Sequence, residues 1–396
     1  MPLSAPGVGT QLAPSPTGGL ADYARIVFRG GDIQPAWDGL MARAAADPGD
    51  AGALLDLSTI LQLVGQREQG LALQADALAR QRWYRRTLGT GRGPRLLALV
   101  AAGDMMASTP VEFLLGGWSG ELDLLFLTPE APVPDHVPAH DVAILAIGES
   151  DANAPLLRAL APLASHWPRP MLNASAGDVS ALGRDRAPER LARQPGLVIP
   201  PTSRLARAEL ATQPHRWPVI VRPIDSHAGA GLEKLDDAAA LAGYLDRHAG
   251  DTFYVSPFVD YAGADGRFRK LRIALVDGRP FVVHMAVSEH WMVHYLNAGM
   301  ANDAGKRAEE SAMFAGFDAG FARRHAAAFA ALHAAFDLDY FAVDCAEDRS
   351  GALLIFEADT AMIVHDMDPP DLYPYKAPAM RKVFVAFQAM VAARAG

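Results

Sequence analysis

Three carboxylates towards the C-terminal end of the chain have the types and spacing that could bind a metal ion. Asp344 ends the apolar run 340–343, and Glu357 ends a second apolar run, 353–356, with Asp359 two residues further on. If the two runs pair as a hairpin, Asp344 lies near Glu357, and Asp359 points to the same face as Glu357. Buried carboxylates are costly without a neutralising cation, and Mg²⁺ favours such ligands. The alternative is a set of surface acids at a turn, which the apolar flanks disfavour.

Cationic side chains on two predicted strands have the spacing to meet phosphate groups. Arg222 follows the apolar run 218–221 and precedes a loop of small residues, whose backbone N–H groups could approach phosphate closely. Lys270 and Arg272 share one face of a later strand because side chains alternate along it. An ordinary hairpin loop and a solvated sheet edge are the alternatives without function. The candidate phosphate-binding residues of the loop are Ser226, His227, Gly229 and Gly231.

A strand that ends in a Pro-containing hinge and an acid could bind a nucleoside. Residues 254–260 read Tyr-Val-Ser-Pro-Phe-Val-Asp. The hinge backbone could bond the edge of a purine, while Asp260 accepts hydrogen bonds from ribose hydroxyls. The alternative is an edge strand followed by a turn. The candidate nucleoside contacts are Tyr254, Val255, Phe258 and Asp260.

Two different patterns of secondary structure would position these residues. Over residues 93–185, apolar runs alternate with helical patterns, which predicts a small Rossmann-like α/β layer with a parallel sheet. Over residues 186–396 the pattern predicts an α+β domain with antiparallel strands and a helix at 326–336. Asp277-Gly278 between two of its strands is a strong hairpin signal.

The first part of the chain has a different character. Residues 1–19 are rich in Pro, Gly, Ser and Thr, which predicts a flexible tail. Residues 20–92 form a helical region, in which a helix pair around Gly65 resembles one tetratricopeptide repeat. A solenoid normally needs about three repeats to bury a continuous core. A small helical domain packed on the rest and a peptide-binding surface therefore both stay open.

The composition limits the classes of protein to which this chain can belong. The chain has 396 residues, of which 50% are hydrophobic and 20% charged, and this predicts two or three globular domains. Its formal net charge of −9 disfavours nucleic-acid binding, which needs clustered Lys and Arg. Apolar runs are too short to span a membrane, and the N-terminus lacks the pattern of a secretory signal. A single cysteine, Cys345, excludes an internal disulfide, and a cytoplasmic location is expected.

The order of these features resembles the ATP-grasp superfamily. A strand, cation and Gly-rich loop, a hinge strand, a basic strand and the Asp344…Glu357 hairpin follow one another as in that family. The similarity is closest to the branch of the ribosomal-protein glutamate ligases and glutathione synthetase-like enzymes. It covers about residues 93–390, so that 93–185 would be the domain preceding the ATP-grasp fold and 186–396 the ATP-grasp domain. The tetratricopeptide-like region lies outside it.

The resemblance implies roles for individual residues. The segment 183–186 resembles the family's Arg-Asp-Lys sequence, which places Arg186 at the ATP α-phosphate. Arg222 stands at the second phosphate lysine, Arg272 near the γ-phosphate, and Asn297 in a region that positions the γ-phosphate or acyl phosphate. The loop 226–231 would cover the phosphates. The magnesium ligands would be Asp344, Glu357 and Asp359.

Four departures from the family pattern affect these roles. Arginine replaces lysine at positions 186 and 222, which keeps the charge but changes size and geometry. Asp359 stands where asparagine is usual and adds a negative charge. The family's basic segment is replaced by residues 289–295, in which His294 is a candidate for the acceptor site.

The reaction that the resemblance implies is Mg-ATP-dependent carboxylate–amine ligation through an acyl phosphate. The substrates would be a small-molecule or peptide carboxylate and an amine. The arginine replacements leave open a catalytically weak ATP-binding regulator or scaffold, and a phosphotransferase that stops at a phosphorylated product. The helical N-terminus leaves open a protein or peptide partner, and the family leaves open a homo-oligomer.

Overall fold

The computed structural model describes residues 6–9, 13–130, 133–164, 166–224, 226 and 229–396. The chain divides into two compact units, which are described separately. Unit 1 comprises Met1–Ser180, Leu338–Phe341 and Thr360–Gly396, and unit 2 comprises Ala181–Asp337 and Ala342–Asp359. Within the described residues, all helices are too short or too polar to cross a lipid bilayer.

The secondary structure is mixed α/β in the described ranges. The strands are β1 Gly7–Val8, β2 Ser15–Pro16, β3 Trp83–Leu88, β4 Arg95–Ala101, β5 Gly120–Leu127, β6 His136–Val137, β7 Val142–Leu145, β8 Met171–Leu172, β9 Leu197–Val198, β10 Ser203–Ala206, β11 Val219–Pro223, β12 Glu233–Leu235, β13 Thr252–Pro257, β14 Phe268–Val276, β15 Arg279–Ser288, β16 Tyr340–Glu347 and β17 Leu353–Asp359. The α-helices are α1 Leu20–Phe28, α2 Gln34–Ala46, α3 Ala51–Leu63, α4 Arg67–Arg80, α5 Val111–Leu114, α6 Ala154–Ala164, α7 Ala176–Ser180, α8 Ala187–Leu191, α9 Arg207–Thr212, α10 Ala238–Arg247, α11 Ala304–Gly316, α12 Ala326–Phe336 and α13 Lys376–Ala395.

Unit 1 contains a six-stranded sheet with the order β2-β3-β5-β4-β7-β8. The pairs β5–β4, β4–β7 and β7–β8 are parallel, as the alternation of strands and helices predicted. The apolar runs at 96–100, 122–127 and 142–145 all lie in strands, and 154–163 lies in α6. Leu96 and Leu97 are both fully buried, because both faces of a parallel sheet are usually covered.

The segment before α1 is held by hydrogen bonds to a buried carboxylate. Asp56 on α3 is 1% exposed and accepts hydrogen bonds from the hydroxyl of Thr17 and the backbone N–H of Gly18. Ser15–Pro16 also pairs with β3. The described residues 13–19 therefore differ from the loosely attached tail that their composition predicted, because a buried carboxylate requires donors.

The helical region of unit 1 consists of α1 to α4. Helices α3 and α4 pack together on either side of Gly65, as the helix pair in the sequence predicted. Tyr23, Leu40, Leu57 and Ile60 form the apolar cluster among the helices. A relation to tetratricopeptide repeats stays a prediction.

The C-terminal residues 360–396, which include α13, cluster with unit 1. The sequence placed them in the same domain as residues 186–359. The side chain of Gln388 on α13 donates hydrogen bonds to the carbonyls of Leu114 and Gly116 at the end of α5. These contacts tie the last helix to the parallel sheet layer, and apolar periodicity alone does not indicate them.

Unit 2 contains two sheets that carry most of the predicted site. The first is antiparallel with the order β10-β13-β11-β12. The second has the order β15-β14-β16-β17-β9, in which the pairs β14–β15 and β16–β17 are antiparallel and the short β9 runs parallel to β17. The predicted turn at Asp277-Gly278 joins β14 and β15, and both residues have positive φ, 49° and 73°, as a two-residue hairpin turn requires. Helix α12 has the predicted bounds, 326–336.

Helix α10 offers a stability test within unit 2. Asp237 caps this helix by accepting a hydrogen bond from the backbone N–H of Ala240, at 2.8 Å. We expect Asp237→Ala to lower the free energy of unfolding by ~1 kcal/mol, because a helix N–H loses its acceptor. Urea denaturation followed by circular dichroism measures the change. The control Asp236→Ala removes an exposed carboxylate that does not cap the helix, and we expect a change within about 0.5 kcal/mol. Equal losses in both variants would contradict the cap.

Candidate active site

Strands β16 and β17 bring two of the predicted acids together. Asp344 lies directly opposite Glu357 in the antiparallel register, and Ala342 lies opposite Asp359. The hairpin predicted from the sequence is therefore confirmed at these positions. Asp344 is 2% exposed, whereas Glu357 and Asp359 are half-buried. A bulge follows Asp344, where the register shifts before Cys345.

Two cations from the neighbouring strand β14 neutralise Asp344. The Nε of Arg272 donates to Oδ1 of Asp344 at 2.8 Å, and Nζ of Lys270 lies 2.7 Å from Oδ2. Burial alone would raise the pKa of Asp344, but Arg272 and Lys270 hold that pKa well below its ordinary value. Asp344 is thus ionised at neutral pH, and the predicted placement of both cations on one strand face is confirmed.

Arg184 is a site residue that the sequence interpretation assigned no role. It lies just before α8, forms an ion pair with Glu357 and donates to the carbonyl of Phe356 at 3.4 Å. Burial by itself would raise the pKa of Glu357. The positive charge of Arg184 acts in the opposite direction, and the pKa lies below its ordinary value. In the segment Gly183–Arg186, the family resemblance assigns the phosphate contact to Arg186. The guanidinium of Arg186 is 39% exposed and lies 3.7 Å from Asp185. The signal in the sequence was an arginine that directly follows the small and apolar residues Ala181-Leu182-Gly183.

Arg222 on β11 holds the start of the Gly-rich loop. Its guanidinium donates to the backbone carbonyl of Ser226 and to the hydroxyl of Ser226, at 3.0 Å for the latter. Burial and the nearby charge of Arg184 lower the pKa of Arg222 to about 10. Gly229 and Gly231 have φ values of 79° and 66°, which explains the need for glycine there. His227 lies outside the described residues.

Strand β13 carries the predicted nucleoside contacts. It lies between β10 and β11, and Tyr254 pairs in register with Arg222. The side chain of Val255 belongs to the apolar core of this sheet. The side chain of Val255 therefore packs inside the unit, and its role as a nucleoside contact stays a prediction.

Phe258 and Asp260 follow β13. The ring of Phe258 has the ammonium of Lys234 4.8 Å from its centroid and packs edge-on against Trp291 at 5.8 Å. Asp260 forms an ion pair with Arg349 at 2.6 Å, in the turn between β16 and β17. The pair is exposed and uses one carboxylate oxygen, and a carboxylate has about four acceptor sites, so the pair leaves sites for other donors.

His294 and Asn297 lie in the segment after β15. Burial, together with Lys270 and Arg272, lowers the pKa of His294, so its imidazole is neutral at pH 7. Asn297 accepts a hydrogen bond from the backbone N–H of His294 at 3.0 Å and so caps the turn Tyr295–Asn297. The amide NH₂ of Asn297 is the part left for a ligand.

The fully buried Glu310 anchors this segment. Its carboxylate accepts from the hydroxyl of Tyr295 at 3.1 Å and from the backbone N–H of Met285 at 3.0 Å. The turn with His294 and Asn297 is thereby fixed to β15.

The charge balance at the hairpin decides whether a metal fits. Across the described ranges there is no cluster of three or more His, Cys, Asp or Glu placed to hold a metal ion. Mg²⁺ in phosphate sites usually takes only one or two carboxylates, with phosphate oxygens and water as the other ligands. The facing pair Asp344 and Glu357 fits that donor set, and Asp359 as a third ligand stays a prediction.

Arg184 and Arg186 make different contacts, which gives a test. We expect Arg184→Ala to weaken Mg-ATP binding about tenfold, ~1.4 kcal/mol, because a charge-assisted phosphate contact is lost. Isothermal titration calorimetry measures the binding. Arg186→Ala is the matched control, and we expect it to cause a smaller loss, since the side chain of Arg186 is 39% exposed and that of Arg184 is 21% exposed. A larger loss in Arg186→Ala would favour the role that the family pattern assigns to Arg186.

Comparisons with known proteins find similar folds among solved structures. A RimK-domain ATP-grasp protein from Sphaerobacter thermophilus is 17% identical, with 75% of this chain and 98% of that chain covered and a TM-score of 0.40. The VanG D-Ala:D-Ser ligase from Enterococcus faecalis is 10% identical, with 76% and 99% covered and a TM-score of 0.44. The D-cycloserine synthetase DcsG is 15% identical, with 76% and 100% covered and a TM-score of 0.43.

No protein-family model matches the chain, and no curated protein matches it.

Proposed function

We propose that the chain is an ATP-grasp enzyme that joins a carboxylate to an amine at the expense of ATP. The observation that supports this most directly is the hairpin pair Asp344 and Glu357, surrounded by Lys270, Arg272 and Arg184. Two ionised acids facing three cations form a site for a ligand that itself carries both signs of charge. A metal-bound polyphosphate has that property.

The ion pairs suggest how such a ligand enters. Its phosphates would take the guanidinium and ammonium groups of Arg184, Lys270 and Arg272, while Asp344 and Glu357 would hold Mg²⁺. Each carboxylate then exchanges one positive partner for another, and no buried charge is left unpaired. Bound Mg²⁺ would supply charge neutralisation at the transferring phosphoryl group.

The proposed reaction has two steps, and neither needs a covalent bond between the protein and the substrate. A substrate carboxylate oxygen attacks the γ-phosphorus, and ADP leaves. An amine nitrogen then attacks the acyl carbon, phosphate leaves, and an amide forms. Arg272 and the amide NH₂ of Asn297 would stabilise the transferring group, and the neutral imidazole of His294 would accept a proton from the amine.

The Gly-rich loop and the basic strand would act mainly by positioning. Arg222 already orders the loop at Ser226, so phosphate binding at Gly229 and Gly231 would start from a partly formed cradle. Closure of the loop would exclude water from the acyl phosphate. The helices α1–α4 would present a peptide or protein substrate, which is the role that a tetratricopeptide-like pair would have.

The experiment that tests the proposal measures ADP and free phosphate released from Mg-ATP in the presence of amino acid, amine and peptide pools. Mass spectrometry on the same samples identifies the product. Release of both ADP and phosphate, with a product one water lighter than its two substrates, establishes a ligase. ADP with a phosphorylated product supports a phosphotransferase, and ATP binding without ADP from any pool supports a regulator.

A further inference from the structure

A buried tyrosine holds the end of the Gly-rich loop, and the proposed reaction does not use it. Tyr244 lies on α10, is fully buried and belongs to the apolar core of the sheet β10-β13-β11-β12. Its hydroxyl donates a hydrogen bond to the backbone carbonyl of Gly231 at 2.8 Å. Burial raises the pKa of Tyr244 to about 12, so the hydroxyl is protonated and acts as a donor at neutral pH. A buried hydroxyl needs a partner, and here the partner belongs to the loop.

The two ends of the loop lie against each other. Gly231 has a φ of 66°, and a Cβ atom at this position would lie 2.8 Å from Cδ of Pro223, so the close approach requires glycine. At the other end, the hydroxyl of Ser226 donates to the carbonyl of Pro223 at 2.7 Å, and Arg222 donates to the same hydroxyl. Arg222 thus holds the start of the loop, and Tyr244 holds its end.

The carbonyl groups at the end of the loop already have donors. The carbonyl of Gly231 accepts from Tyr244, and the carbonyl of Gly229 accepts from the backbone N–H of Leu232 at 3.1 Å. Within the described ranges, the N–H groups of Gly229 and Gly231 donate to no backbone carbonyl. Backbone N–H groups bind anions, whereas carbonyl oxygens repel them. Carbonyls that are held by other donors, next to N–H groups that the backbone does not use, suit a phosphate.

Helix α10 also holds the strand that follows the loop. The ring of His248, at the end of α10, lies 4.3 Å from the ring of Tyr244, and its Nε2 lies 3.0 Å from Oε1 of Glu233 on β12. Arg247 donates to the other carboxylate oxygen of Glu233 at 2.7 Å. Glu233 follows Gly231 by two residues, so α10 contacts the chain on both sides of Leu232. The hydroxyl of Tyr244 therefore acts on the loop from a fixed helix.

We propose that Tyr244 is a positioning residue for the triphosphate of ATP. Through the carbonyl of Gly231, its hydroxyl keeps the N–H groups at the end of the loop available to the phosphates. This role rests on the proposed function, in which the loop binds phosphate. It makes a specific demand, namely that loss of the hydroxyl weakens binding of the phosphates and leaves binding of the nucleoside unchanged.

Tyr244→Phe in the full chain tests this role, because phenylalanine keeps the ring contacts with His248 and Phe253 and removes only the hydroxyl. We expect the dissociation constant for Mg-ATP to rise about fivefold, as for one lost hydrogen bond. The dissociation constant for adenosine should equal that of the wild type. Isothermal titration calorimetry measures the first constant, and NMR titration measures the second. Without ligand, the backbone nitrogen signal of Leu232 should shift, because this nitrogen shares a peptide group with the carbonyl of Gly231.

Tyr84→Phe is the matched control for the loss of a buried hydroxyl. Tyr84 on β3 of unit 1 is also fully buried and donates to a backbone carbonyl, that of Gln81, at 2.6 Å. We expect this variant to bind Mg-ATP like the wild type. Equal weakening of Mg-ATP binding in both variants, equal weakening of Mg-ATP and adenosine binding in Tyr244→Phe, or an unshifted Leu232 signal would overturn the role of Tyr244.

The wild type distinguishes failure of this role from failure of the proposed function. A wild-type chain that binds no Mg-ATP would overturn the proposed function and the role of Tyr244 together. A wild-type chain that binds Mg-ATP with the same affinity as Tyr244→Phe would overturn the role of Tyr244 alone.

Discussion

Asp344→Asn is expected to lower ATP-dependent turnover by about a hundredfold, ~2.7 kcal/mol in transition-state stabilisation. The substitution keeps the size of the side chain but removes the charge that faces Lys270 and Arg272. It would remove a proposed ligand of Mg²⁺ at the same time. Initial rates of ADP release at saturating Mg-ATP, measured with the substrate pool that supports turnover, give the loss directly.

The same substitution is expected to destabilise unit 2. Removing one partner of a buried ion pair leaves the other charge uncompensated, which costs about 3 kcal/mol. Urea denaturation measures this change, and rates are then corrected for the folded fraction. Asp277→Asn is the matched control, because Asp277 is exposed in a turn whose positive φ suits asparagine equally well. Turnover of Asp344→Asn within about twofold of the wild type would remove Asp344 from the site.

The parts of the site that the sequence predicted are those determined by strand periodicity. Asp344 faces Glu357 because two apolar runs flank one short polar turn, and the turn of a hairpin sets which residues pair. The common face of Lys270 and Arg272 follows from alternation along β14. Such inferences need only local pattern, and helix α12 was predictable for the same reason. The prediction of a helical region over residues 20–92 was wrong at β3, Trp83–Leu88, which pairs with β5 in the sheet of unit 1.

The parts that the sequence did not predict depend on contacts between distant residues. Arg184 lies outside any strand or long helix, so no periodicity shows that it meets Glu357. Residues 17–19 have the composition of a tail, but the buried Asp56 on α3 accepts hydrogen bonds from all three. Strand β12 has three residues, which is too short for an alternation pattern. In each case tertiary partners outweigh local composition.

Glu357→Gln tests the second carboxylate of the hairpin, and we expect turnover to fall by at least tenfold, ~1.4 kcal/mol. Glutamine has the shape of glutamate but cannot neutralise Arg184 or bind Mg²⁺ as an anion. Glu347→Gln is the control on the same strand pair, at the other end of β16, where Glu347 pairs with Arg324 and His325. We expect its turnover to equal that of the wild type.

The dependence of Glu357→Gln on magnesium distinguishes the two causes of its lower turnover. If Glu357 binds Mg²⁺, the concentration of Mg²⁺ needed for half-maximal turnover rises, and excess Mg²⁺ restores part of the rate. If Glu357 only orients Arg184, the affinity for ATP falls while the Mg²⁺ requirement is unchanged. A rate near that of the wild type at all Mg²⁺ concentrations would place Glu357 outside the catalytic machinery, because a carboxylate that holds Mg²⁺ or Arg184 at the phosphates cannot be removed without cost.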